Sequence, residues 1–298
     1  SFIVTIVAIC MYYFFSKEAI IPVLIISAII SLIINIIFSS KIIIDTDSVS
    51  MSLKEVFFDG LGMVKLGAFT VFTSFISLAT LYYVRVSIRD TMGIDYVGYY
   101  AAATTLTITY MGLIFSSMAA DYFPKLSAIN KDNQALNKAI LDQTKTILLL
   151  GTPLILLMFT FSDYIIPILY SKEFISSRVL LLWMLLAVFF QLISFPIGYV
   201  FLAKSKGKIF IFTQSQWNII FIIGAFLSLK FDYGLQGIGI AFSTAYLLGI
   251  VVNILIIKRV TSLKYDSTTK QYILFLGLSV IAYLYYSLNY SGLVALII

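Results

Sequence analysis

The sequence predicts an all-α fold, a polytopic transmembrane helix bundle of about nine spans plus a truncated one. Three observations carry that reading. Apolar residues make up 61% of the 298 positions and charged residues only 11%, against roughly 25% charged in soluble domains. Such a chain cannot cover a water-facing surface with polar groups, so its outer surface must face lipid. Apolar runs of about 20 residues, the length that crosses a bilayer, recur along the chain and are separated by short polar stretches. Finally, lysines and arginines alternate in density from one connecting stretch to the next, as the loops of a helix bundle do.

The elements follow in order. Residues 1–15 form an incomplete apolar run and residues 19–38 a full span. A polar stretch at 48–59 leads into a span at 64–84. There Ser52-Leu53-Lys54-Glu55 has the form of a capping box, so a helix is expected to begin at that point and run on past Gly62. Further spans are expected at 97–118, 146–161, 179–203, 209–229, 237–257 and 272–288, and another segment begins near residue 291. The polar stretch 131–144 is expected at the membrane interface. Of the 20 Lys and Arg residues, 14 fall in one set of alternate loops and six in the other. The richer set, with Lys204, Lys206, Lys208, Lys258 and Arg259, is therefore assigned to the cytoplasm. Tyrosines near span ends, among them Tyr82, Tyr96, Tyr122, Tyr199 and Tyr233, suit an aromatic belt.

Composition also narrows function. There is no histidine, which removes the usual proton carrier and the commonest metal ligand. Cys10 is the only cysteine, so no disulfide forms within the chain. No cofactor is implied. The net charge of +6 is explained by topology, and no clustered basic face interleaved with aromatics points to nucleic acid. Signals of an enzyme are poor. Asp45-Thr46-Asp47 matches the metal-binding pattern of many glycosyltransferases, but it sits in a short polar loop and reads as solvated. No secretory leader is expected, and the apolar runs at both ends lead us to expect a piece of a longer protein.

Polar residues at membrane depth are the candidate site, because charge there is costly. Arg85 and Arg89 follow the outer end of the span 64–84. Four residues apart, they share one helix face and suit a phosphate, or else they snorkel to the headgroups. Lys65, near the opposite end, has the same two readings. Gln143, Gln191 and Gln214, with Gln216 and Asn218 nearby, either line a wet cavity for sugars or bond between helices. Asp121 reads as a helix-end contact. Pro196 predicts a kink in its span, of the kind that marks a moving element in transporters. Two Gly-rich turns enter helices, Gly93-Ile-Asp-Tyr-Val-Gly98 and Gly234-Leu-Gln-Gly237-Ile-Gly239. Gly98 and Gly239 are thereby candidates for close helix approach. The two turns are either traces of an internal repeat or two tight turns with the same need.

A set of short motifs then falls in a characteristic order. It begins with Leu-Tyr-Tyr-Val-Arg85 and Met-Gly-Ile-Asp-Tyr-Val-Gly-Tyr-Tyr-Ala-Ala-Ala, followed by Thr109-Tyr110-Met111 and Asp121-Tyr-Phe-Pro-Lys-Leu-Ser127. Next come Asp142-Gln143-Thr144, Gly151-Thr-Pro153, Pro167-Ile-Leu-Tyr-Ser-Lys-Glu-Phe174, and Phe195-Pro-Ile-Gly-Tyr-Val-Phe-Leu-Ala-Lys204. Across most of its length the chain resembles the bacterial O-antigen and oligosaccharide flippases. These form the polysaccharide-transporter branch of the multidrug/oligosaccharidyl-lipid/polysaccharide exporter superfamily. The resemblance implies two six-helix lobes around a central cavity. Residues 1–38 would be the last helices of the N-terminal lobe and 39–63 a cytoplasmic connecting segment. Residues 64–257 would be the six-helix C-terminal lobe and 258–298 additional C-terminal helices.

The function implied is translocation of an undecaprenyl-diphosphate-linked oligosaccharide across the bacterial inner membrane by alternating access. Its partners would be that lipid, the membrane lipids and other membrane proteins of polysaccharide assembly. Arg85 matches the family's arginine near the outer end of its seventh helix and is the first choice for the diphosphate, with Arg89 and Lys65 behind it. The alternatives are a drug/cation antiporter of the same superfamily, which wants a carboxylate inside a span, and an integral membrane glycosyltransferase or polymerase, which wants larger outer loops.

Overall fold

A computed structural model describes residues 2–40 and 53–290. Its contacts divide the chain into two units, residues 1–59 and 60–298. The loop motif Asp45-Thr46-Asp47, the capping residue Ser52 and the segment from residue 291 lie outside the described residues.

The first unit contains a helical hairpin. Helix α1 (Phe2–Phe15) is joined by a 3-10 turn (Ser16–Ala19) to α2 (Ile20–Ser40). The hairpin buries Ala19 and Val23 and leaves most of its isoleucines exposed, as expected of side chains whose solvent is lipid. At 14 residues, α1 is shorter than a membrane crossing needs.

Helix α3 (Leu53–Met92) runs unbroken through Gly60 and Gly62. In the second unit α4 (Ile94–Thr104), a π-turn (Thr105–Thr109) and α5 (Tyr110–Ala128) make one continuous crossing. After these come α6 (Asn133–Leu169), a 3-10 turn (Lys172–Ser177), α7 (Arg178–Ala203), α8 (Gly207–Lys230), α9 (Gly234–Thr261) and α10 (Ser267–Asn289). Eight helical segments among the described residues are long and apolar enough to cross a membrane, so this is a multi-pass membrane protein. Each contains one of the full spans read from the sequence.

Turns between consecutive crossings are short, so neighbours run antiparallel. The Lys-rich turns after α5, α7 and α9 thus fall at one end of the bundle. At the other end, Gly93 has φ +102° and Gly234 φ +57°, values that favour glycine because it lacks a Cβ. That backbone need is met at both Gly-rich turns.

The polar stretch 131–144 is continuous with the span that follows it. It forms the first turns of α6. The Asp132 carboxylate caps that helix, accepting from the backbone N–H of Gln134 at 2.8 Å and Ala135 at 3.1 Å. Leu136, Ile140 and Thr144, four residues apart, are buried along one face, so packing holds the helix together beyond the bilayer. Its 37 residues span about 55 Å, well over the ~30 Å hydrocarbon core.

Helix α7 is the hub and packs against α4, α5, α6, α8, α9 and α10. It is apolar round most of its circumference and largely buried, as suits a central helix. The helix is continuous through Pro196. Pro196 supplies no N–H to the helix ladder, while its carbonyl accepts from the Tyr122 hydroxyl at 3.2 Å. Two apolar clusters flank this region. One centres on Leu180–Ile193 with Trp217, Phe221 and Phe242, and the other on Ile197–Ala203 with Tyr122, Leu136, Phe210 and Ile257.

Candidate functional site

A cavity of about 390 Å³ opens where the two clusters meet. Helix α5 contributes Gly112, Phe115 and Ser116, and α7 contributes Gln191, Ser194, Phe195 and Tyr199. From α8 come Thr213, Gln214 and Trp217, and from α9 Tyr246, Gly249, Ile250 and Asn253. These residues follow helical spacing on each element: 191, 194, 195 on α7; 213, 214, 217 on α8; 246, 249, 250, 253 on α9. Each helix therefore turns one mixed polar and aromatic face inward.

The chemistry of the lining is uniform in one respect: none of it is charged. It offers two glutamine amides, an asparagine amide, three aliphatic hydroxyls, two phenols and an indole with polar tips, and stacked rings. The Trp217 and Tyr246 rings lie 4.9 Å apart at an interplanar angle of 22°. The pair forms a flat wall whose faces are apolar and whose edges carry hydrogen-bonding groups.

Glycines set the spacing of this bundle. A Cβ on Gly198 would stand 2.5 Å from Nε2 of Gln214, and one on Gly239 would stand 2.7 Å from Cβ of Trp183. Gly198 therefore makes room for the Gln214 amide against α7, and Gly239 lets α9 approach the backbone of α7. At Gly98 a Cβ would meet the Phe174 ring at 3.4 Å, so α4 lies close to the 3-10 turn before α7.

The structure brings only some of the sequence candidates together. Gln191 and Gln214 line the cavity; Arg85, Arg89, Lys65 and Gln143 do not. Arg85 is exposed on α3, close enough to the buried Tyr100 phenol to act on it electrostatically. Arg89 Nη2 pairs with Asp90 at 2.8 Å, both exposed. Lys65 stands over the Phe69 ring at 6.0 Å, and Gln143 lies half-buried on α6. Asp121 pairs with Lys125 at 2.5 Å along α5, within the helix rather than at its end.

Gln216 takes the second of its two sequence readings, a bond between helices, while its partner Asn253 and, beyond that, Ser194 escaped the sequence reading. Its Nε2 donates to the Gly249 carbonyl at 3.1 Å and to Asn253 Oδ1 at 2.8 Å. Asn253 Nδ2 in turn donates to Ser194 Oγ at 2.6 Å. Away from the cavity, Arg178 opens α7. It is largely buried, with Nε 2.5 Å from Asp163 Oδ1, and it donates to the Ser287 carbonyl at 2.6 Å. It therefore ties α6, α7 and α10 together at the end opposite the Lys-rich turns. At the Lys-rich end, Lys145 pairs with Asp266 at 3.1 Å and Asn137 donates to the Thr261 carbonyl at 2.9 Å.

No curated protein and no solved structure matches this chain. A sequence model of one family does match, over residues 1–179, and its description is polysaccharide biosynthesis protein. The match covers more than half of the chain, from α1 to the start of α7, and it assigns the helix bundle a role in polysaccharide assembly or transport. This multi-pass membrane protein belongs to the polysaccharide biosynthesis protein family.

Proposed function

We propose that the chain is part of a flippase that carries an undecaprenyl-diphosphate-linked oligosaccharide across the bacterial inner membrane by alternating access. The observation that carries this reading is the cavity between α5, α7, α8 and α9. A space lined by amides, hydroxyls and a stacked aromatic wall, set among membrane-crossing helices, matches the surface of a sugar. Sugar hydroxyls need hydrogen-bond partners once they leave water, or each costs several kcal/mol in hydrocarbon. In a family devoted to polysaccharide assembly, a sugar attached to a membrane lipid is the cargo that has to cross.

The diphosphate calls for a different contact. Arg85 and Arg89 stand on α3 near the end assigned to the outer leaflet, where guanidinium forks suit phosphate oxygens. Membrane lipids and other polysaccharide-assembly membrane proteins are the partners this reading implies. The antiporter alternative is less well supported, because the cavity lining offers no carboxylate to carry a proton or a sodium ion.

The test is leaflet accessibility of labelled lipid-linked oligosaccharide in vesicles containing the full-length protein. Label appearing on the outer face at a rate dependent on the protein supports the reading. Label that stays inside while the protein is folded and inserted overturns it.

A further inference from the structure

The polar groups behind the cavity form a chain whose direction is fixed at one end. A side-chain amide leaves its N and O ends to be assigned from its partners, and here a backbone group settles the assignment. The Gly249 carbonyl can only accept, so the Gln216 atom 3.1 Å from it must be the donor Nε2. That same Nε2 lies 2.8 Å from Asn253, which must therefore present its acceptor Oδ1. Asn253 then has only Nδ2 left to face Ser194, at 2.6 Å. Ser194 Oγ is thereby an acceptor on its protein side, and its own proton is left for the cavity.

The other two aliphatic hydroxyls of the lining are oriented in the opposite sense. Ser116 donates to the Leu113 carbonyl at 3.0 Å and Thr213 to the Ile209 carbonyl at 2.9 Å, so each can only accept from a ligand. Among the described residues, Ser194 makes no such back-bond. The aliphatic hydroxyls of the lining therefore divide into acceptors (Ser116, Thr213) and one fixed donor (Ser194), beside the two-way amides Gln191 and Gln214. A charged ligand has no opposite charge to meet there, and an unmatched ion at this depth is strongly disfavoured.

We propose that this cavity binds an uncharged sugar ring of the glycan, laid against Trp217 and Tyr246, and that Gln216 is the positioning residue that makes Ser194 a donor to it through Asn253. This rests on the flippase reading and deepens it by separating two recognition tasks. The cavity reads neutral sugar and the diphosphate is met elsewhere. Because amides and hydroxyls do not titrate near neutral pH, the recognition itself is independent of pH.

The experiment uses the full-length protein in lipid nanodiscs and reads quenching of tryptophan fluorescence, Trp217 being in the wall. The probes are methyl N-acetyl-β-glucosaminide, methyl β-glucoside and methyl β-glucuronide. The neutral glycosides are expected to quench saturably, the uronide at least about tenfold more weakly. Ser194→Ala, which removes one hydroxyl and little volume, is expected to weaken the neutral glycosides about three- to tenfold, the range of one lost hydrogen bond. Gln216→Glu supplies the readout that a packing role would not move. With its proton on, the introduced carboxyl can still donate to Asn253. Once ionised it accepts instead, Asn253 turns over, and Ser194 gives its proton to Asn253. Binding to that variant should fall as pH rises through the pKa of the new carboxyl, while wild type stays flat.

Equal binding of uronide and neutral glycosides, no quenching by either neutral glycoside, or a flat pH profile in Gln216→Glu overturns the proposal. Where Gln216→Glu does not fold, the wild-type selectivity and Ser194→Ala decide it. If lipid-linked oligosaccharide still crosses the membrane in the leaflet experiment, such a failure removes this inference alone. Absence of crossing removes the flippase reading whatever the glycosides do.

Discussion

Arg178 reaches across to Asp163, its Nε 2.5 Å from the carboxylate, and both side chains are mostly withdrawn from solvent. The pair closes α6 against α7, and the same guanidinium reaches carbonyls of α10. Removing one partner leaves the other charge unmatched in a poorly hydrated place. Arg178→Met or Asp163→Asn should therefore each destabilise the protein by about 1.5–3 kcal/mol, the scale of a charged hydrogen bond. The double variant should lose less than the sum of the two. Thermal unfolding in detergent, arranged as a double-mutant cycle, measures this, and strict additivity would mean the pair is not coupled.

Gly198 and Gly239 should respond differently to the same added methyl. At Gly198 the obstacle is the far end of the flexible Gln214 side chain, which can swing away. Gly198→Ala should leave the melting temperature nearly unchanged and impair transport, and Gln214→Ala added to it should do little more. At Gly239 the obstacle is the Cβ of Trp183, which moves only if the helices part. Overpacking of that kind costs about 1–3 kcal/mol, so Gly239→Ala should melt early. Paired melting and transport measurements separate the two effects.

Arg85 and Arg89 share a helix face but differ in how far their charge is free. Arg89 is already paired with Asp90, whereas among the described residues Arg85 forms no ion pair. If α3 meets the diphosphate, Arg85→Ala should reduce transport about tenfold or more, the value of one charge-assisted contact. Arg89→Ala should do less, with both variants inserting normally. Complementation of surface polysaccharide by each variant, normalised to membrane abundance, tests the ranking. Full activity of Arg85→Ala would take that residue out of the site.

At the Lys-rich end, hydrogen bonding from Thr269 holds the Asp266 carboxyl below the usual carboxylate range, with Lys145 adding to it. A carboxyl whose pKa is lower folded than unfolded stabilises the protein above the unfolded value, about 3.9. That stabilisation is lost as pH falls through the folded value. The Lys145–Asp266 link should therefore persist at neutral pH and fade only in acid. Because Asp266 is exposed, its contribution is small, on the order of 0.2–1 kcal/mol. Asp266→Asn should accordingly flatten the acid limb of a melting-temperature profile while changing the neutral value little.

The crossings were legible in the sequence because lipid imposes a length and a composition on each, and the two glycine turns because their φ values leave few other residues. Gln191 and Gln214 could be read as cavity candidates, since an amide in the middle of an apolar run needs a reason. Gln216 looked the same from sequence and takes the other of the two readings, a bond between helices, because its partners lie on α9, 33 and 37 residues away. No local pattern records which helix faces which. Arg178 carries no local sign of its role for a similar reason: its carboxylate partner is on α6 and its carbonyl partners are Ser287 on α10 and Tyr290 just past its end. The polar start of α6 read as a surface segment because its charged residues hide the buried Leu136–Ile140–Thr144 stripe.

At the π-turn, Thr105–Thr109, the ring closes from the Tyr110 N–H to the Thr105 carbonyl, one residue wider than an α-helical ring. Where that geometry loosens the ladder, the hydroxyls of Thr104, Thr105 and Thr107 bond back to carbonyls of Tyr100, Ala101 and Ala103. The turn thus stores one surplus residue. Deleting one residue there should close the segment into a plain α-helix and leave Gly112, Phe115 and Ser116 on the cavity. The same deletion farther along α5 has no surplus to draw on, and would rotate everything beyond it by about 100°. The crossing therefore carries slack in its own length, at one address, and a change in residue number is absorbed there and nowhere else along that wall.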